Sequence, residues 1–156
     1  MRFKRPNGGR VEIGESAMLQ LLAHRQLLPN DREAGGILLG RLVDCSADVI
    51  VDEVSIPTPF DRSGRFHFLR HRKPAQQHVD KAWAESSSTR IYLGEWHTHP
   101  EDVPNASGLD FKEWRRIVTS SKYEQESLFF VILGRTKTCI WELAKQGDDP
   151  IKLEAL

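Results

Sequence analysis

Apolar positions in this chain recur with two different periods, and the switches between them outline the elements. Arg10 to Ile13 follows the Asn7-Gly8-Gly9 turn and predicts a short first strand. Met18, Leu21, Leu22 and Arg25 then share a helical face, with Leu28 one turn on, so a helix is expected over Ser16 to Leu27, stopped by Pro29, Asn30 and Asp31. Gly36 to Val43 and Asp48 to Ile56 are apolar, β-branched-rich runs that predict two successive strands. Pro57 to Arg72 is polar with Phe60, Phe66 and Phe68 inserted, the pattern of a loop with a short strand. Pro74 to Ser86 predicts a second helix with Pro74 in its first turn and Val79, Ala82 and Trp83 facing inward.

Arg90 to His99 predicts a strand on which Ile91, Leu93, Glu95, His97 and His99 share one face. Ser107 opens a third helix, to about Ser121, that buries Phe111, Trp114, Ile117 and Val118. Leu128 to Leu133 is continuously apolar, as in a strand covered on both faces, and Lys137 to Leu143 is expected to pair with it, followed by a short tail from Ile151 to Leu156. Trp96, Trp114 and Trp141 are expected in the core. Strands alternating with helices predict an α/β or α+β fold, a curved mixed sheet flanked by helices.

The 156 residues suit one domain over 1–156, with no internal repeat or low-complexity linker. Lys+Arg and Asp+Glu both number 22, so net charge offers no reason to expect nucleic acid or an anionic membrane as a partner. The basic cluster Arg62, Arg65, Arg70, His71, Arg72 and Lys73 reads as a solvated loop and helix start. Cys45 and Cys139 stand far apart and outside any CxxC pair, which excludes a disulfide framework or a cysteine zinc site; both are expected reduced and mostly buried, in a cytoplasmic protein. The basic start MRFKRPNGGR has no apolar stretch behind it, unlike a secretory signal.

The chemistry concentrates in Gly94-Glu95-Trp96-His97-Thr98-His99-Pro100 and, further on, Ser107-Gly108-Leu109-Asp110. Histidines at i and i+2 on a strand point the same way and can converge on one ion; Thr98 between them is expected to point to the other face and pack. A carboxylate in the first turn of the next helix can reach back to the strand end. Zinc takes imidazole nitrogen and carboxylate oxygen at about 2.0–2.2 Å, and catalytic sites keep a fourth position open. Ser107-x-x-Asp110 is also a helix-capping box, and the two readings are compatible, since a capped helix start fixes where Asp110 stands. Glu33, before Ala34-Gly35-Gly36, is the candidate base: the glycines permit close backbone approach. Ser107 could donate to a developing oxyanion. Glu101 and Asp102 read as loop, and His67, His71 and His78 as structural.

Glu33, His97-x-His99, seven intervening residues and Ser107-x-x-Asp110 together match the motif of the JAMM (MPN+) metalloproteases, and Glu33-Ala-Gly-Gly-Ile-Leu-Leu-Gly40 resembles that family's glutamate-bearing strand entry. The resemblance implies a layout similar to that of cytidine deaminases and one zinc ion per chain. It implies His97, His99 and Asp110 as ligands, Glu33 as acid and base, and Ser107 as stabiliser of the tetrahedral intermediate. The string Gly-Glu-Trp-His-Thr-His-Pro-Glu-Asp, with Lys112-Glu113-Trp114 in the next helix, is similar to the bacterial branch found in antiphage operons, which implies a substrate protein joined by its extended C-terminal tail to an amine, with a cyclic-nucleotide synthase and a conjugating enzyme as partners. A peptidase that trims a sulfur-carrier protein would keep the same site. An MPN scaffold without metal would have lost motif residues, and all are present here. The PCxxC of zinc deaminases and the HExxH of gluzincins are absent.

Overall fold

In the computed structural model, which describes residues 1–147 and 149–156, the elements run β1 (Arg2–Lys4), β2 (Arg10–Ile13), α1 (Glu15–Leu22), β3 (Gly35–Leu42), β4 (Val49–Val54), β5 (Arg62–Gly64), β6 (His67–Leu69), α2 (Arg72–Glu85), β7 (Ile91–Thr98), α3 (Gly108–Ser120), β8 (Ser127–Leu133), β9 (Thr138–Ala144), β10 (Ile151–Lys152) and β11 (Glu154–Ala155). One sheet has the order β10-β9-β8-β7-β3-β4-β2-β1-β11, and β5 and β6 form a separate hairpin. The pairs β2–β4 and β7–β8 are parallel. This is the expected curved mixed sheet with helices against it. Among the described residues no helix is long and apolar enough to cross a membrane.

The tail does more than the sequence pattern predicts. Its two short strands pair with opposite ends of the sheet, β10 with β9 and β11 with β1, and Leu153 between them is buried in the core. Pairing both ends nearly closes the sheet and leaves few bare edges. Segments of two residues carry no readable period, and Arg2–Lys4 was equally silent; both are strands only because a neighbour offers them a ladder.

The core has an inner and an outer part. Inside the curve, Val11, Ile13, Val51, Leu93, Trp96, Phe129 and Val131 pack with Ala17 and Leu21 of α1. Outside, α3 lays Trp114, Ile117 and Val118 on Leu128, Phe130, Ile132 and Trp141, while α2 covers Ile37 and Leu39 with Ala75 and Ala82. All seven residues of β8 are buried, so it is covered on both faces as its unbroken apolar run requires. Some details differ from the sequence pattern. The first helix ends at Leu22 and leaves Leu28 exposed, Trp83 is 46% exposed on the far side of α2, and Cys45 lies exposed in a turn at φ 56°. A turn can hold a cysteine as readily as a core can. Both cysteines are free.

The main departure lies in β7. Strict alternation puts Leu93 and His97 on one face. Instead, Leu38 pairs with Gly94 and Leu39 with Tyr92, so Leu93 is an extra residue and the side-chain phase flips across this bulge. Ile91 and Leu93 therefore join Trp96 on the inner face, while Tyr92 faces outward with Glu95 and bonds it. The bulge turns His97 away from the apolar interior to the side where α3 lies. It needs Gly94, whose φ is +144° and where a Cβ would collide with the Phe129 carbonyl. Gly94→Ala is expected to destabilise the fold by about 3 kcal/mol or more, through backbone strain plus overlap with an immobile strand. Urea unfolding checks this, and a midpoint within error of wild type would refute the bulge's dependence on glycine.

Candidate metal centre

His97 and His99 leave the end of β7 on its outer face, 16% and 13% exposed at the side chain. Their Nε2 atoms are 3.0 Å apart, the rings tilted by 56°. Asp110 reaches them from the first turn of α3: Oδ1 is 3.1 Å from His97 Nε2, and Oδ2 is 3.6 Å from His99 Nε2. One donor atom from each residue lies within 4.8 Å of the others. Donors about 2.0–2.2 Å from a tetrahedral zinc stand ~3.4 Å from one another, so this spacing fits a shared ion held by two imidazoles and a carboxylate.

Ser107 and Asp110 form the capping box expected of them. Asp110 N–H donates to Ser107 Oγ at 3.2 Å, and Asp110 Oδ2 accepts from both the backbone N–H and the hydroxyl of Ser107 at 2.6 Å. The cap aims the carboxylate. It also occupies the hydroxyl, which must release Asp110 before it can serve an oxyanion. Burial alone would raise the Asp110 pKa, but the hydrogen bond and charge of His97, then the Ser107 donors, hold it well below the usual carboxylate range. His99 is lowered, first by burial and then by the neighbouring His97, which keeps its imidazole neutral and able to ligate.

Glu33 reaches the same place from β3. Gly35 is the registered partner of His97, and Thr98 N–H donates to the Ala34 carbonyl, so continuing the antiparallel ladder sets Glu33 opposite His99 on the histidine face. Its side chain is 7% exposed. Burial, then the charge of Asp110, pushes its carboxyl up to about 8. The ring of Phe68 stands where a Cβ on Gly35 would be, so the β5–β6 hairpin is seated directly on the start of β3, two residues after Glu33.

The five residues line one cavity of about 410 Å³. Phe66, Phe68 and Leu69 of the hairpin segment wall one side, and Leu109, Glu113 and Arg116 of α3 the other. Arg70 and Glu95 also line it and pair at 2.5 Å, and the Tyr92 hydroxyl donates to Glu95. Arg70 thus belongs to the cavity and not, as its place in a basic run suggests, to a solvated loop. Thr98 points inward as expected, 0% exposed, but it does more than pack: its hydroxyl donates to Gln26, a residue with no motif to mark it. Glu101 and Asp102 sit in a loop whose carbonyls hold the β8–β9 turn.

Residues 15–144 match the family described as prokaryotic homologs of the JAB domain. The chain is 36% identical over 127 residues to a CD-NTase/cGAS isopeptidase of Pseudomonas aeruginosa, covering 80% of this chain and 77% of that protein. It is 35% identical over 133 residues to a protein of the same name from Vibrio cholerae, covering 85% and 81%. A solution structure of a protein from Desulfitobacterium hafniense shares the fold, with a TM-score of 0.59 at 24% identity over 90% of this chain and 89% of that one.

Proposed function

Because this chain belongs to the prokaryotic homologues of the JAB domain, we propose that it is a zinc-dependent isopeptidase with His97, His99 and Asp110 as metal ligands and Glu33 as base. The observation that carries this reading is the convergence, in one cavity, of three donor atoms at ligand spacing and the buried carboxyl of Glu33. A zinc ion bound there supplies a Lewis acid that polarises a carbonyl and acidifies water.

Glu33 takes the proton of the attacking water as the C–O bond forms. It then delivers that proton to the nitrogen that leaves as the C–N bond breaks. A carboxyl placed beside the ligand donors can both accept and return a proton, so one group serves both transfers. Ser107 swings from Asp110 to donate to the carbonyl oxygen as negative charge gathers on it.

The substrate we propose is a protein joined by an extended C-terminal tail to an amine, and the names of the relatives favour a cyclic-nucleotide synthase as that protein. The cavity lies between the hairpin and α3, and the two-stranded hairpin offers an edge on which an extended tail could add main-chain hydrogen bonds. The test is cleavage of a synthase–lysine conjugate by the zinc-loaded protein, lost with a chelator and restored by zinc. Less than about half a zinc per chain after gentle purification, with no cleavage on adding zinc, would reject the reading.

A further inference from the structure

Glu33 is a buried carboxylate that no hydrogen bond of its own side chain holds among the described residues. Its position must come from its backbone. Glu33 N–H donates to the Gly64 carbonyl of the hairpin at 2.7 Å. Ala34 is tied twice to Thr98: its N–H donates to Thr98 Oγ1 at 3.0 Å, and its carbonyl accepts from Thr98 N–H at 2.9 Å.

Behind these contacts sits Gln26, which is 1% exposed, although the two leucines that follow it are 58% and 67% exposed. This polarity is the reverse of what hydrophobic burial alone produces, so the amide must be held by specific partners. Its carbonyl accepts from the Thr98 hydroxyl at 3.0 Å. Its NH₂ donates to the carbonyls of Asp31 at 3.2 Å and Arg65 at 3.0 Å. One buried side chain thus joins the strand between the two histidines, the segment entering Glu33 and the turn of the hairpin that walls the cavity. A buried network in which each donor finds an acceptor is stiff, and it permits one arrangement of the pieces it joins.

We propose that Gln26 is a positioning residue: through Thr98, Asp31 and Arg65 it fixes the backbone of Glu33 relative to His97 and His99, and so sets the distance over which the base works. This rests on the isopeptidase reading for its catalytic consequence, and on geometry alone for the positioning. None of its side chains offers a donor to the metal, and Thr98, although bonded to both histidines, turns its hydroxyl to the opposite face, so zinc content is expected to stay unchanged.

The test uses Gln26→Met, which keeps length and volume but has neither amide donors nor acceptor. In the zinc-loaded protein the amide protons of Glu33 and Ala34 are expected to exchange at least about tenfold faster, with those of β8, which report global opening, unchanged. Zinc stays at one per chain. The kcat falls about tenfold or more while KM stays within about twofold, because a displaced base slows the chemical step and not binding. In a Glu33→Gln background the same change adds no further loss, since there is no base left to misplace. Thr98→Val, which puts a methyl in place of the hydroxyl and so also removes the acceptor of Ala34 N–H, repeats the pattern, and Thr98→Ser restores it; if Gln26→Met does not fold, exchange at Glu33 in this pair decides the matter, because Glu33 N–H is bonded to Gly64 and not to Thr98. Unchanged exchange at Glu33 and Ala34, or a loss of kcat that persists with Glu33→Gln, overturns the proposal. A wild-type protein that binds zinc but cleaves no conjugate rejects the isopeptidase reading instead, and the exchange rates still decide whether Gln26 holds Glu33.

Discussion

Glu33→Gln is expected to leave zinc bound at one per chain and to lower kcat by about 10² to 10⁴-fold, the range a positioned general acid–base contributes. The amide keeps the shape of the side chain and cannot take or return a proton. Metal content by elemental analysis, beside initial rates on the conjugate, checks both halves, and retained turnover would refute the assignment of the base. The same substitution has a second signature in the metal-free protein. Glu33 titrates at about 8 when folded and from 4.5 when exposed, a rise caused by burial and then by the charge of Asp110. Below 4.5 both states hold the proton. Between 4.5 and 8 the unfolded chain has released it and the folded protein has not, so stability falls as pH rises through this window, by up to about 1.4 kcal/mol per pH unit. His99 acts in the opposite sense, because its folded pKa is lowered and its contribution is lost as pH falls. The difference between wild type and Glu33→Gln isolates the carboxyl: the melting temperature of wild type should drop more steeply from pH 5 to 8, and parallel curves would refute the raised pKa.

Asp110→Ala is expected to lose metal and cleavage together. Two imidazoles alone do not make a closed donor set for zinc, and the carboxylate is the charged member of this one. A fully zinc-loaded Asp110→Ala protein would contradict its role as ligand. Stability suffers separately, because Asp110 Oδ2 accepts both donors of Ser107 at the start of α3. Losing that cap costs about 1 kcal/mol, or ~2–4 °C of melting temperature for a chain of this size. Asp110→Asn separates the two roles. It retains an oxygen for the cap and loses the charge, so it should melt close to wild type while binding zinc far more weakly.

Both variants concern residues that could be found without coordinates. The motif positions Glu33, His97, His99, Ser107 and Asp110 do come together, and each lies at or within two residues of the end of a long element: β3, β7 and α3. Gln26 could not be found that way. The periodicity carries a helix through it to Leu27, but the helix ends at Leu22 and leaves Gln26 in an irregular segment before Gly35, so its only signal is a polar residue beside two leucines. The Arg70–Glu95 pair was hidden for another reason: its members are 25 residues apart on different elements, and a run of basic residues looks solvated until a carboxylate is placed beside one of them.

The sequence by itself determined the elements with a strong period, the mixed sheet with helices upon it, and which residues are candidates for donors and base, because side-chain chemistry and local periodicity are properties of the chain alone. Only the tertiary structure decided which way the site faces. The bulge at Leu93 and Gly94 reverses the alternation of β7, and this turns the histidines from the core to the side where α3 supplies Asp110. Pairing of the short tail strands and burial of Gln26 were settled at the same level. In each case the deciding energy lies in contacts between residues distant in sequence, where a ladder partner, a closed cavity or a buried acceptor overrides what the local pattern prefers.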